Sequence, residues 1–418
     1  MAVETAGACG LAASVRARTH LRSMPRPAPL RLFQAVTVGH YGIDVFNSMT
    51  PVLAAFLKAP LGLSAAQVGL AVGVHQFLAG ATQPPFGWVE DRVGSRVLGP
   101  LSVAWAISLM CAALLAGWRF GYLPFLALLA VAALGSGAFH PQGVAHAGSG
   151  LPGRSATATS VFFLSGQLGL STGPVIAGVM LDRAGPNGVV AVGALFLVVP
   201  VYMATVMGRR SLNPPPAILE QTGAVQPPPA WGPRSLRALA LLAAIFSLRA
   251  WIFIGTVAFL PLLFQVAGWS ASGQGLAAGT FWVGGAIGGV LAGLLADRHG
   301  RRLVVSVATF AGALMLPLLP LAEGAVALVV CLLCGAFLGA PHSVLMVVAQ
   351  DLLPVRRALA SGLALGFLFA MGAVGSWGIG ALADSYGLVR VIQAGAVPAL
   401  LVAALALLLP VRAAGTPT

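Results

Sequence analysis

Two charged residues sit deep inside apolar sequence, and both could do chemistry there. At about 1.5 Å of rise per residue, Asp44 lies about 17 Å into a helix that begins near residue 33, close to the middle of a bilayer. Arg249 is similarly deep in another, within Phe246-Ser247-Leu248-Arg249-Ala250-Trp251. A charge at such depth costs at least ~2.5–3.5 kcal/mol, so function is the first hypothesis for each. Asp44 can carry a proton. Arg249 can attract an anion, or it can pair with the Asp44 carboxylate and pin two helices together. His40 stands one turn before Asp44 on the same helix face, and His140 is a second imidazole in an apolar run. Both are relay candidates, because imidazole titrates near neutral pH; the bland alternative is hydrogen-bonded packing. The histidine spacings make no metal-ligand set, so neither metal nor cofactor is expected. Asn47, Gln83, Gln142 and Gln167 are candidate polar contacts for a solute, and Trp251 and Trp282 candidate aromatic walls.

The elements that carry these residues must be membrane helices. Of the 418 residues, 58% are hydrophobic and only 8% charged, with mean hydropathy +0.93. A soluble domain carries about 25% charged residues. Long apolar runs between short charged turns imply a polytopic helical protein embedded in a lipid bilayer. Twelve spans are expected, at roughly 33–57, 67–88, 97–117, 122–147, 156–180, 189–208, 237–266, 273–296, 303–322, 325–350, 358–382 and 389–411. The net charge is +13. Its arginines are scattered singly between spans and form no basic face, which argues against nucleic acid as a partner. They gather on one set of helix ends, which puts both termini and the central linker in the cytoplasm. Cys331 and Cys334 lie within an apolar run and are expected to pack as small hydrophobes.

The chain is doubled. Gly87-Trp88-Val89-Glu90-Asp91-Arg92-Val93-Gly94-Ser95-Arg96 returns as Gly293-Leu294-Leu295-Ala296-Asp297-Arg298-His299-Gly300-Arg301-Arg302. Three further pairs share one offset: Gly137-Ala138-Phe139-His140 with Gly339-Ala340-Pro341-His342, Leu151-Pro152-Gly153-Arg154 with Leu353-Pro354-Val355-Arg356, and Gly178-x-x-x-Asp182 with Gly380-x-x-x-Asp384. Arg249 falls one position from the repeat equivalent of Asp44. The expected fold class is an all-α membrane protein with twelve transmembrane helices in two pseudo-symmetric six-helix bundles, a transporter arrangement. Residues 1–31, basic and Pro/Ala-rich, read as a disordered cytoplasmic tail, with Met24 a candidate start. Residues 32–208 and 237–411 form the bundles, the Pro-rich stretch 209–236 is a cytoplasmic linker, and 412–418 are a short tail. Gln83-Pro84-Pro85 should break span 2 near its cytoplasmic end, and Pro174 should kink span 5. Asp182 and Asp384 are expected to stabilise turns at the opposite ends, and Asp351 to form a cap or salt bridge.

The hairpin pattern G-x-x-x-D-R-x-G-x-R between spans 2 and 3 resembles the signature loop of the major facilitator superfamily. A narrower resemblance is to fosmidomycin resistance proteins. It rests on Gly135-Ser136-Gly137-Ala138-Phe139-His140-Pro141, on Gly39-His40 with Asp44, and on Gln350-Asp351-Leu352-Leu353-Pro354-x-Arg356 with Ser361-Gly362. The resemblance implies that span 2 faces span 11 and span 8 faces span 5. Gly87, Asp91, Arg92, Gly94 and Arg96, with Gly293, Asp297, Arg298, Gly300 and Arg301, would then form a cytoplasmic gate. Asp91 would face the start of span 11, and Asp297 the start of span 5. Gly169, Gly173, Pro174 and Gly178 resemble the antiporter motif of the superfamily's drug exporters, although Ala177 and Ser160 replace customary glycines; generic helix packing is the alternative.

No nucleotide loop of the form G-x-x-x-x-G-K-[ST] and no nucleophile–base set is visible, so the chain reads as a non-enzyme driven by an ion gradient. The leading expectation is a bacterial inner-membrane, monomeric, proton-coupled exporter of a small drug-like or anionic solute, of the fosmidomycin resistance type. The alternatives are a transporter of an ordinary metabolite and a non-transporting receptor.

Overall fold

The computed structural model describes residues 29–93, 95–149, 154–207, 233–353 and 357–409. Nearly all of the expected tails, most of the linker, Gly94 and the Asp91 side chain lie outside the described residues. The described residues contain helices and short connections and no strand. In the first half these are α1 (Pro29–Leu61), α2 (Ala65–Ala81), α3 (Gln83–Val93), α4 (Ser95–Phe120), α5 (Tyr122–Ser149), α6 (Ser155–Phe196) and α7 (Val198–Met207). In the second they are α8 (Pro233–Val266), α9 (Ala271–His299), α10 (Arg301–Met315), a 3-10 turn (Leu316–Leu321), α11 (Gly324–Gly339), α12 (Pro341–Leu352), α13 (Arg357–Tyr386), α14 (Leu388–Ala394) and α15 (Ala396–Ala406).

Every expected span falls on helix. Nine stretches among the described residues are long and apolar enough to cross a membrane, and one of them, Thr157–Met207, holds two expected crossings. Their join is Gly185, whose φ of 58° only glycine adopts without strain. Pro174, expected to kink span 5, lies inside α6, and the residue of that helix with non-helical dihedrals is Gly185, between the two crossings. Span 2 does stop before its prolines: α2 ends at Ala81, Thr82 caps it, and α3 starts at Gln83. At the other end Ser64 and Gln67 close a capping box that fixes the start of α2. Leu294, Val290, Leu318 and Val201 are exposed on the outside, where lipid tails replace water as the solvent.

The halves meet along two helix pairs, α2 with α13 and α6 with α9, as the resemblance implied for spans 2 with 11 and 5 with 8. Both seams are closest at the end away from the duplicated hairpins. A methyl group at Gly178 would collide with the Ala271 carbonyl, and one at Gly380, its repeat equivalent, with the Ala65 carbonyl. Small residues let the backbones touch there. The core of each half is closed by large buried side chains such as Phe46, Phe125 and Phe139 in the first and Phe259, Phe264 and Phe281 in the second.

Candidate functional site

The α1 residues His40, Asp44 and Asn47 share one helix face, and α5 brings His140 and Ser136 against it. His40 Nε2 lies 3.2 Å from Asp44 Oδ2, and His140 Nε2 lies 3.5 Å from Asp44 Oδ1. Asn47 donates its amide to Asp44 Oδ1 at 3.1 Å and to Ser136 Oγ at 2.9 Å. The far side of each ring is anchored as well. His40 Nδ1 meets the Phe162 carbonyl at 2.8 Å, and His140 Nδ1 meets the Ser136 carbonyl at 2.8 Å. A carbonyl can only accept, so both Nδ1 atoms carry hydrogen and both Nε2 atoms turn toward the carboxylate. Phe162 also stacks on His40, with centroids 4.0 Å apart. Helix α6 can come this close because Gly166 has no side chain; a methyl there would strike the His40 ring. Gly169 and Gly173, two residues of the antiporter-like motif, press against α1 in the same way, while Gly178 presses against α9.

Three acceptors therefore converge in a buried place. With hydrogen only at the two Nδ1 atoms, the lone pairs of two imidazoles and a carboxylate would face one another without a donor. One added proton makes the cluster neutral, either as a carboxylic acid or as one imidazolium beside the carboxylate. A second gives it a net charge of +1. The sequence placed His40 with Asp44 through their spacing, but not His140, which comes from a different helix.

Arg249 on α8 is buried and forms no ion pair with Asp44, whose charge is already matched by the histidines; the pinning pair considered from sequence does not form. Among the described residues its one hydrogen bond runs from NH2 to the Gly339 carbonyl at 3.5 Å, and its Nε finds no acceptor there. The guanidinium lies 5.3 Å from the Phe253 ring, and Phe253 meets Trp282 edge-on at 5.6 Å. Trp282 Nε1 is also buried without an acceptor. The Phe253 ring thus links the side chains that carry these two unmatched donors.

The other expected contacts divide. Gln142 is fully buried and donates to Ser102 Oγ and the Ala138 carbonyl, so it belongs to the α4–α5 interface and not to a cavity. Gln83 bonds back to the Ala79 carbonyl of the preceding turn. Trp251 packs against Gly375 of α13, half-exposed. Gln167 is half-buried on α6. Cys331 and Cys334 are free and buried, as small hydrophobes would be.

On the hairpin face the Asp91 side chain and the first side chains of α13, expected to meet in the gate, lie outside the described residues. Asp297 is exposed and has no hydrogen bond or ion pair among the described residues, and Gly293 looks onto open space. Arg301 binds Asp351 at 2.7 Å within the second half, and Arg92 stacks on Trp88 of its own helix. Arg96 and Arg298 are exposed, while Gly87 makes only ordinary contact, with Pro141. Gly300, at φ 85°, turns the chain from α9 into α10. The opposite face is latched. Asp182 at the end of the α6 crossing accepts from Ala271 and Ser272 N–H at 3.0 and 2.8 Å. Asp384 accepts from Ala65 and Ala66 N–H at 2.7 and 2.9 Å. Each carboxylate thus caps a helix of the other half, where the helix dipole favours negative charge. These are contacts between halves, not the turn supports expected from sequence. Together with the glycine seams, these caps close the face away from the hairpins.

A profile of the Major Facilitator Superfamily matches residues 41–363 and 258–418. The chain belongs to this superfamily. The overlapping matches follow the duplication, and superfamily membership makes the chain a multi-pass membrane transporter. It is 29% identical over 363 residues to the fosmidomycin resistance protein of Escherichia coli (strain K12), covering 84% of this chain and 86% of that protein. It is 28% identical over 373 residues to the uncharacterized MFS-type transporter YfnC of Bacillus subtilis (strain 168), with the same coverage. Two solved structures of a bacterial homolog to the human lysosomal transporter Spinster share the superfamily fold. The inward-facing, unoccupied form has TM-score 0.69 and 17% identity, covering 92% of this chain and 98% of that one. The inward-facing, occupied form has TM-score 0.71 and 16% identity, covering 92% and 97%.

Proposed function

We propose that this superfamily member is a proton-coupled exporter of a small anionic or drug-like solute in the bacterial cytoplasmic membrane, with both termini in the cytoplasm. The observation that carries the reading is the convergence of His40 Nε2, His140 Nε2 and both Asp44 oxygens at midplane depth. Such a cluster needs a shared proton, and losing that proton exposes a net negative charge in a place that disfavours charge. Arg249 and Trp282, with donors left unmatched, supply the complementary locus for an anionic group. The resemblance to a fosmidomycin resistance protein supports an antibiotic-like solute.

In this reading the two bundles rock about a central site. When the hairpin side opens to the cytoplasm, Arg249 takes an anionic group from the solute. Breaking the Asp182 and Asp384 caps opens the other face and releases it. Protons then enter from that side onto His140 or Asp44, and leave to the cytoplasm after the return.

The test uses inside-out membrane vesicles with a proton gradient set up by respiration and read by a pH-sensitive dye. Adding fosmidomycin to vesicles carrying the wild-type chain should dissipate part of the gradient. Vesicles carrying Asp44→Asn at equal expression should not respond, and drug accumulation should lose its dependence on pH. A pH-dependent response undiminished in Asp44→Asn sinks Asp44 as the proton carrier.

A further inference from the structure

The same three side chains have the makings of a metal site, although their positions in sequence gave no such sign. We infer that His40, Asp44 and His140 bind one divalent transition-metal ion of the zinc class, in competition with the protons of the cluster.

Donor chemistry comes first. Two imidazole nitrogens and a carboxylate oxygen suit zinc, cobalt or nickel, whereas magnesium and calcium prefer all-oxygen surroundings. The spacing agrees. Around a tetrahedral ion with bonds of about 2.0–2.1 Å, neighbouring donor atoms stand about 3.3–3.4 Å apart. Each imidazole stands that far from its own carboxylate oxygen, His40 3.2 Å from Oδ2 and His140 3.5 Å from Oδ1, and one donor atom from each of the three residues lies within 4.8 Å of the others.

The rings are also prepared for a metal. Metal-bound histidine commonly donates its other N–H to a carbonyl or carboxylate, which fixes the tautomer and aims the free lone pair. Here both Nδ1 atoms donate to backbone carbonyls, of Phe162 and Ser136, and both Nε2 atoms aim inward. Asn47 steadies the carboxylate through Oδ1. Access comes through His140, whose side chain is 22% exposed while those of His40 and Asp44 are 5% and 9% exposed. A fourth coordination position is left for water.

The charges balance without help from elsewhere. With two added protons the cluster carries +1. A divalent ion that displaces both protons leaves neutral imidazoles, one carboxylate and the metal, again +1. Uptake of the ion therefore releases up to two protons and grows weaker as pH falls.

The experiment titrates cobalt(II) chloride into the purified full-length chain in detergent, with any affinity tag removed. The expected result is one ion per chain, with the intense visible bands of a four-coordinate cobalt centre that zinc(II) chloride bleaches. Affinity should fall at lower pH and drop at least tenfold in His140→Asn and in His40→Gln. X-ray absorption on the zinc-loaded wild-type chain needs no variant and should read two imidazole ligands and a carboxylate. Only the weak bands of six-coordinate cobalt, fewer than two imidazoles, or equal binding in folded variants would overturn the inference. The spectra do not depend on transport, so the proton-coupling reading can fail while the metal site stands, and the reverse.

Discussion

In the first half Asp44 is held by His40, His140 and Asn47; in the second half Arg249 reaches only the Gly339 carbonyl, at 3.5 Å. The two residues occupy nearly equivalent places in the repeat, and the equivalent helices α5 and α12 carry His140 and His342. The difference lies in who supplies the opposite charge. The acidic site carries its own bases and can take up and lose protons while staying near neutral. The basic site has no acid among the described residues. A bilayer penalises a charge without a partner, so the second site looks outward for one. Duplication thus delivered two equivalent positions of opposite charge, which under the proposed function would divide proton handling from anion handling.

Removing the charge from the second site should have the largest effect. Arg249→Met keeps much of the bulk and is expected to weaken handling of an anionic solute by about 2–5 kcal/mol, the loss typical of truncating a buried charged contact. Concentration-dependent transport in proteoliposomes reads this as a raised KM, and an unchanged KM would remove Arg249 from the solute site. Trp282→Phe sharpens the same point by deleting one N–H and little volume. One hydrogen bond to a charged group contributes about 1.5–3 kcal/mol, so binding measured by calorimetry should weaken while the melting temperature stays put. If binding is unaffected, the unmatched indole N–H is a packing accident.

How far these sites were legible in the sequence follows from the range of the contacts involved. Depth in a span, and the one-turn spacing of His40 and Asp44, are local properties that a linear reading captures. So is the duplicated hairpin, because charges between apolar runs stand out. His140 joins Asp44 only through the packing of α5 on α1, which no spacing encodes. The carbonyls of Phe162 and Ser136 are backbone groups and leave no mark on residue type. Gln142 was misread because a glutamine in a span looks the same whether it faces a cavity or a neighbouring helix. Asp182 and Asp384 read as turn residues because their partners are N–H groups of a distant helix. The one available clue was that both sit at the same offset as other repeat pairs.

The remaining predictions compare the two faces of the membrane. Asp182→Asn and Asp384→Asn each remove a charge from a helix cap, which costs about 1 kcal/mol. Each should shift the balance toward opening of the latched face by roughly fivefold, read as spin-label distances across that face. Distances unchanged in the double variant would show that the glycine seams alone hold the face shut. The smallest effect is expected on the hairpin side. Arg301 and Asp351 form a partly exposed pair inside one half, so Arg301→Gln should cost no more than ~1 kcal/mol in thermal melting. A loss of transport far beyond that would give the pair a role in movement.

Helix α6 touches both places that matter. Near one end Phe162 accepts from His40, and Gly166 lets the cluster sit against its backbone. Near the other end of the same crossing Asp182 holds the opposite half. These points are about 30 Å apart at helical rise, so the helix works as a pushrod. When the latch lets go and α6 tilts, the acceptor behind His40 moves with it, and the ring it steers must turn or lose its bond. Under the proposed proton coupling, the number of protons the cluster keeps would then report which door is open, delivered mechanically across the thickness of the membrane.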